Sequence, residues 1–236
     1  MLPTLLLTRP FPQSERFARM CQQAIGLEVP VLISPLMRIV PQDVALDRAD
    51  FGDVILSSAN GARTLADICD VTGLTAYCVG DQTAEVAMQL GMVAQSAHGT
   101  ASDLIELIRR SNPKQPLLHA RGQETRGEIV QTLQAQGYDV RSEVLYAQEP
   151  CDLSAEAHIL LSAENSIAVP LFSPRSARLF DTAIAKSPAK IIIFPMSVAV
   201  SQAYSGSAAQ IMQPPAKPNA HSLCDLIAAY YLACSG

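Results

Sequence analysis

The stretch LLHARGQETRGEIVQTLQAQGYDV at residues 117–140 restates the plan of LLLTRPFPQSERFARMCQQAIGLEV at residues 5–29. Each copy is an apolar run, an Arg, a polar turn, a helical stretch with a Gly near its end, and a new apolar run. A short apolar run bounded by turn residues reads as a strand, so each copy is a strand–helix–strand unit. The alternation continues: DVILSS precedes ANGARTLADICD, TAYCVG precedes DQTAEVAMQLG, VPLFS precedes PRSARLFDTAIA, and KIIIFPM precedes SVAVSQAYSG. Such alternation indicates an α/β chain with mainly parallel sheets.

Four kinds of unit each occur twice: A at 4–36 and 117–146, B at 53–70 and 168–186, C at 76–91 and 190–206, and a closing helix D at 101–110 and 222–233. That order fits a tandem duplication and equally an interleaved pairing. The polar, Pro-containing stretches after each A, PLMRIVPQDVALDRAD and LYAQEPCDLSAEAH, have the composition of linkers. Read as crossovers, they put the second A with the B, C and D before it and the first A with the last B, C and D. The expectation is a split domain of residues 1–36 plus 151–236, a continuous domain of residues 40–146, and linkers near 36–40 and 146–151. Contact of residues 4–8 with strands near 168–173 supports it, and contact with 53–57 overturns it.

With 236 residues, 49% hydrophobic and 17% charged, the chain has a globular composition and enough length for two cores. Its start, MLPTLLLTRPF, lacks a basic residue before the apolar run and a small-residue cleavage pattern, so it reads as a first strand rather than a signal peptide. No apolar run approaches a membrane span, and the expected location is cytoplasmic. A net charge of −5 without a basic run argues against nucleic acid as a partner. Cys21, Cys69, Cys78, Cys151, Cys224 and Cys234 form no CxxC and have no His at metal spacing, so neither disulfides nor a metal site is predicted. No GxGxxG, GxxxxGK[ST] or HExxH is present, and SPAK at 187–190 lacks any companion motif.

The chain resembles the uroporphyrinogen-III synthase family. The residues that carry the resemblance are TRP (8–10), SSANGARTL (57–65), AYCVGDQTAEVAMQLG (76–91), RGQETRGEIVQTLQAQGYDV (121–140), LY (145–146) and FSPRSARLF (172–180), in the family's order along nearly the whole chain. The resemblance implies two similar flavodoxin-like parallel-sheet domains joined by a two-stranded antiparallel linker. It implies a cofactor-free cyclising lyase that closes hydroxymethylbilane in the cleft between the domains, losing water and inverting the last pyrrole ring through a spiro intermediate. A linear tetrapyrrole is then the ligand. A monomer that transiently meets the preceding pathway enzyme is the expected state. The second C unit, IIIFPMSVAVSQAYSG, departs from the family in lacking a Gly-containing turn, with Ser197 standing in for the usual hydroxyl residue.

Ligands of open α/β sheets sit beyond the carboxyl ends of the strands, where helix N-termini face anions. Ser57 and Ser58, Gly80 and Thr83, Ser173 and Ser197 stand at such places, and so do Arg9, Arg63, Arg121, Arg126 and Arg175. A substrate rich in carboxylates suits both sets, because guanidinium grips carboxylate through paired hydrogen bonds. The same hydroxyls also serve as helix caps, and Arg126 has Glu124 and Glu128 nearby for a surface ion pair. Tyr146 resembles the family's cleft tyrosine; as a proton donor at neutral pH it suits a general acid for the departing hydroxyl, and a linker aromatic packed on a domain is the alternative. His98, His119, His158 and His221 assemble no nucleophile set, and His119, inside LLHAR, reads as a core or strand-end residue. Absence of such a set fits a reaction governed by positioning and desolvation. A non-catalytic two-domain binding or sensor protein for a tetrapyrrole or other anion is the alternative function, since fold alone does not fix activity. A flavin or nucleotide protein is disfavoured by the missing phosphate loop.

Overall fold

The computed structural model describes residues 2–124, 128–184, 187–206 and 210–235. The first half of the chain runs β1 (Thr4–Leu7), α1 (Phe11–Ile25), β2 (Val31–Ile33), β3 (Met37–Pro41), a 3-10 turn (Arg48–Asp50), β4 (Val54–Leu56), α2 (Ala59–Ile68), β5 (Thr75–Cys78), α3 (Asp81–Gln89), β6 (Val93–Ser96) and α4 (Ala101–Ser111). The second half runs β7 (Leu117–Gly122), α5 (Ile129–Ala135), β8 (Val140–Pro150), α6 (Ala155–Leu161), β9 (Ser166–Leu171), α7 (Pro174–Ala183), β10 (Lys190–Pro195), α8 (Val198–Ala203), β11 (Gln210–Ile211) and α9 (Ala220–Ser235). Two compact units result, Met1–Arg38 with Pro150–Gly236 (unit 1) and Ile39–Glu149 (unit 2).

In unit 1 the sheet order is β11–β10–β9–β1–β2, parallel throughout, with Thr4 opposite Ile167 and Leu5 opposite Ala168. Numbered along the chain, that is the 2-1-3-4-5 order of flavodoxin-like sheets. In unit 2 the order is β3–β8–β7–β4–β5–β6. Its parallel part has the same spatial order once counting starts at β7 and β8 and continues with β4, β5 and β6. The two units thus share one wind, and unit 2 reaches it with its A unit last in the chain.

The strands are short, nearly continuous apolar runs because both sheet faces are covered. Residues alternate between the two faces, as the period of two demands. Leu5, Leu7, Ile192 and Phe194 pack under α1 and α9, while Leu6, Ile191 and Ile193 pack under α6, α7 and α8. In unit 2, Val54 and Leu56 face α2 and α3, while Ile55 and Leu117 face α4 and α5. Helix ends carry the expected chemistry: Gly26 closes α1 at φ 68, and Thr100 and Asp103 form a capping box on α4. All six cysteines are free thiols.

Three features differ from the sequence reading. The stretch LSAEAH, read as linker, starts α6, capped by Ser154, because Ala157 and Leu161 have a core to enter. Strands β6 and β11 are too short and polar to be legible. The linker strand is no separate element: β8 runs unbroken from Val140 to Pro150 and lies beside β3. Gln42 N–H donates to the Leu145 carbonyl while Cys151 N–H donates to that of Leu36, the falling register of an antiparallel pair.

Candidate active site

In each sheet the strand order reverses between an A strand and a B strand: β1 beside β9 in unit 1, β7 beside β4 in unit 2. Crevices at such reversals are where ligands of this wind bind. Four chain turns at the ends of B and C strands share one backbone conformation. Their residues are Ser58 (φ −153, ψ 151), Gly80 (φ −141, ψ 165), Ser173 (φ −151, ψ 155) and Ser197 (φ −155, ψ 168), each capping the next helix. This is extended backbone that any residue adopts, and a Cβ on Gly80 would meet nothing within 4 Å. The missing glycine of the second C unit therefore costs the fold nothing, and Ser197 caps α8 by accepting from Val200 N–H.

Ser58 accepts from Gly61 N–H at 3.1 Å and shares a 2.7 Å hydroxyl–hydroxyl hydrogen bond with Tyr146. A β-bulge makes that bond possible. Between Arg121 and Gly122 the register on β8 jumps from Val144 to Tyr146. Leu145 and Tyr146, neighbours in sequence, consequently enter the same core under α2 and α3, which a regular strand forbids. Gly122 supplies the room, since a Cβ there would lie 2.7–2.9 Å from the Tyr146 ring and hydroxyl. Gly61 likewise lets α2 approach β7, where a Cβ would stand 2.8 Å from the Ala120 carbonyl oxygen. Tyr146 is 4% exposed; burial pushes its pKa up, and the Ser58 hydrogen bond partly offsets the rise. It therefore holds its proton at neutral pH.

Arg9 follows β1 and lies over the Phe172 ring at 4.3 Å; Phe172 in turn meets Phe17 edge-on at 4.9 Å. Burial, and then the Arg16 charge, pulls its pKa down, the mark of a cation short of counter-charge. Arg121 is the last but one residue of β7 and donates to Ser142 Oγ at 2.7 Å and to the Gly122 and Gln123 carbonyls. These acceptors are neutral, so they fix the guanidinium without cancelling its charge. Both units thus carry an Arg at or just past the end of the first A strand.

A model of the family described as uroporphyrinogen-III synthase HemD matches residues 19–224. The chain belongs to the uroporphyrinogen-III synthase family. A solved uroporphyrinogen-III synthetase from Helicobacter pylori 26695 has the same fold at 15% identity, with a TM-score of 0.59 over 98% of this chain and 100% of that one. A mutant uroporphyrinogen III synthase from the extremely thermophilic bacterium Thermus thermophilus aligns over 98% of this chain and 99% of its own at 12% identity, with a TM-score of 0.48. Among curated proteins, none matches. The family is one of cofactor-independent lyase-type cyclases of porphyrin and heme biosynthesis.

Against that synthase family, the residues named from sequence sort unevenly. Ser58 and Tyr146 are brought together, and Arg121 stands beside Gly122 on the strand that receives the tyrosine. Ser57 directly precedes the cap and Arg63 lies on α2, both half-buried, and Arg175 is the second residue of α7. Thr83 sits inside the first turn of α3, which begins at Asp81, and is 7% exposed. Arg126 lies outside the described residues. His119 is 3% exposed with neither ring nitrogen hydrogen-bonded, and burial, helped by Arg121, pushes its pKa down to about 4. It is a neutral core residue. Sequence reasoning missed Gly122, Gly61, Phe172 and Ser142; the glycines were visible inside RG and NGA, but nothing local says what they approach.

Proposed function

We propose that the chain cyclises hydroxymethylbilane to uroporphyrinogen III, with Tyr146 giving a proton to the hydroxyl that leaves as water. The observation that carries the role is the 2.7 Å Ser58–Tyr146 hydrogen bond at the strand reversal of unit 2. Ser58 Oγ accepts from the start of α2, so its own hydrogen is available to Tyr146 Oη, which frees the tyrosine proton for the substrate. A tyrosine that accepts one hydrogen bond is a better donor of the next. The proton given to the hydroxyl is balanced when the ring-closing carbon loses its own.

Arg9 and Arg121 pair with substrate carboxylates, and Ser57, Arg63, Gly80, Ser173, Arg175 and Ser197 line the strand-end surfaces that receive them. Charge-assisted bonds of this kind hold a flexible chain in one conformation, which is most of what a cyclase must do. The reading includes a cytoplasmic monomer that takes the bilane by transient contact with the enzyme producing it. Support for the location is that no described helix is long and apolar enough to cross a membrane. Light scattering at a multiple of the 25.3 kDa chain mass would exclude the monomer.

The test supplies enzymatically generated hydroxymethylbilane and resolves the product isomers. Wild type is expected to give type III product, and Tyr146→Phe to lower kcat by roughly 100-fold or more with KM little changed. Type I product alone from wild type would exclude the synthase reading, and near wild-type turnover by Tyr146→Phe would exclude the tyrosine's role.

A further inference from the structure

The strand-end edge of unit 1 carries apolar side chains that folding leaves uncovered. Phe11 is the first residue of α1, after β1, and is 55% exposed; Val198 is the first residue of α8, after β10, and is 61% exposed. β9 lies between β1 and β10, and Phe172 and Pro174, half-buried, follow its end. α1 and α8 cover opposite faces of the sheet, so Phe11 and Val198 stand on either side of this edge. Among the described residues of unit 2, the large exposed hydrophobics are Met88 and Val93, where α3 ends and β6 begins, at the other end of the strands. The helices that follow β4 and β5 begin instead with Ala59 and Asp81.

A single exposed apolar residue needs no explanation. Here two of them follow the strands on either side of β9, whose end carries Phe172, an aromatic ring that Arg9 already covers with a cation. Both stand beside the residues that the proposed function assigns to carboxylate binding, so apolar and cationic surface are adjacent. That mixture matches one ligand class, flat pyrrole rings fringed with acetate and propionate groups.

We propose that Phe11 and Val198 form a seat for the pyrrole rings of the linear tetrapyrrole. The inference rests on the synthase reading. It adds two substrate-positioning residues to it.

The variants are Phe11→Ser, Val198→Ser and their double, with Phe11→Leu and Val198→Ile as conservative partners. Losing half of one side chain's apolar contact weakens binding by roughly tenfold. The expected result is a KM for hydroxymethylbilane about tenfold higher in the double Ser variant, with kcat, the type III fraction and the melting temperature unchanged and the conservative variants near wild type. A double variant whose KM stays within about twofold of a type III-producing wild type overturns the seat and leaves the synthase reading intact. A KM rise accompanied by a lower melting temperature also overturns it, as a structural effect. If wild type gives only type I product, the synthase reading falls, and fluorescence titration with uroporphyrin III decides the seat separately. There, a Kd about tenfold weaker in the double variant upholds it, and an unchanged Kd overturns it.

Discussion

Ser58 and Ser173 hold the same place in the two units, each ending a B strand and capping the helix that follows, yet their hydroxyls are spent differently. Ser173 is closed within its own helix: it accepts from Ser176 N–H, Ser176 Oγ accepts from Ser173 N–H, and the two hydroxyls lie 3.1 Å apart. Ser58 makes the same cap but turns outward to Tyr146. In unit 1, Ser34, just past β2, is fully buried and accepts from Ser154 N–H. Both copies of the framework thus have their caps, and a buried tyrosine hydroxyl meets one of them. The cap supplies stability in either unit, and the bulge on β8 brings a tyrosine hydroxyl to one of them.

The largest effect should come from removing the space that makes unit 2 different. Gly122→Ala puts a methyl 2.7 Å from the Tyr146 ring, so the ring must leave Ser58. Steady-state kinetics should show kcat lower by roughly 100- to 1000-fold, close to that of Tyr146→Phe. A variant with kcat near wild type would mean that the tyrosine's placement is not what separates the units.

His119 gives the second contrast, since LLHAR in unit 2 aligns with LLLTR in unit 1 and puts His119 opposite Leu7. Its folded pKa of about 4 lies below the ordinary value of 6.5, so the unfolded chain takes up the proton first. Stability is complete above about pH 6.5 and falls as the pH drops toward 4, by about 3 kcal/mol across that window. Denaturant titrations at several pH values should show the fall in wild type and a flatter profile in His119→Leu, which makes unit 2 resemble unit 1. An unchanged slope in that variant would assign the acid sensitivity elsewhere.

The smallest effect sharpens the comparison most. Ser58→Ala and Ser173→Ala should each cost about 1 kcal/mol of stability as lost caps. Only Ser58→Ala should also depress kcat, because only Ser58 touches Tyr146. Equal kcat losses would make the two serines functionally alike and dissolve the division drawn here.

Much of the site was legible because its parts are local. A Ser before a helical run, an Arg after an apolar run and a Pro at a helix start are dictated by a few neighbouring residues, so Ser58, Ser173, Ser197, Arg9 and Arg121 could be named from sequence. Phe172 and Ser142 were invisible because their roles are contacts with Arg9 and Arg121, made across the sheet rather than along the chain.

By itself, then, the sequence determined the strand–helix alternation, the two copies of each unit and the helix starts at the strand ends, all set by periodicity and capping within a turn or two. Only the tertiary structure decided which distant strands pair, β1 with β9 and β7 with β4, and where β8 slips its register against β7. Pairing and bulges depend on backbone hydrogen bonds between segments far apart in the chain, and those bonds carry no residue signature. One such slip turns Tyr146 toward Ser58, and with it an ordinary helix cap becomes part of the proposed reaction centre.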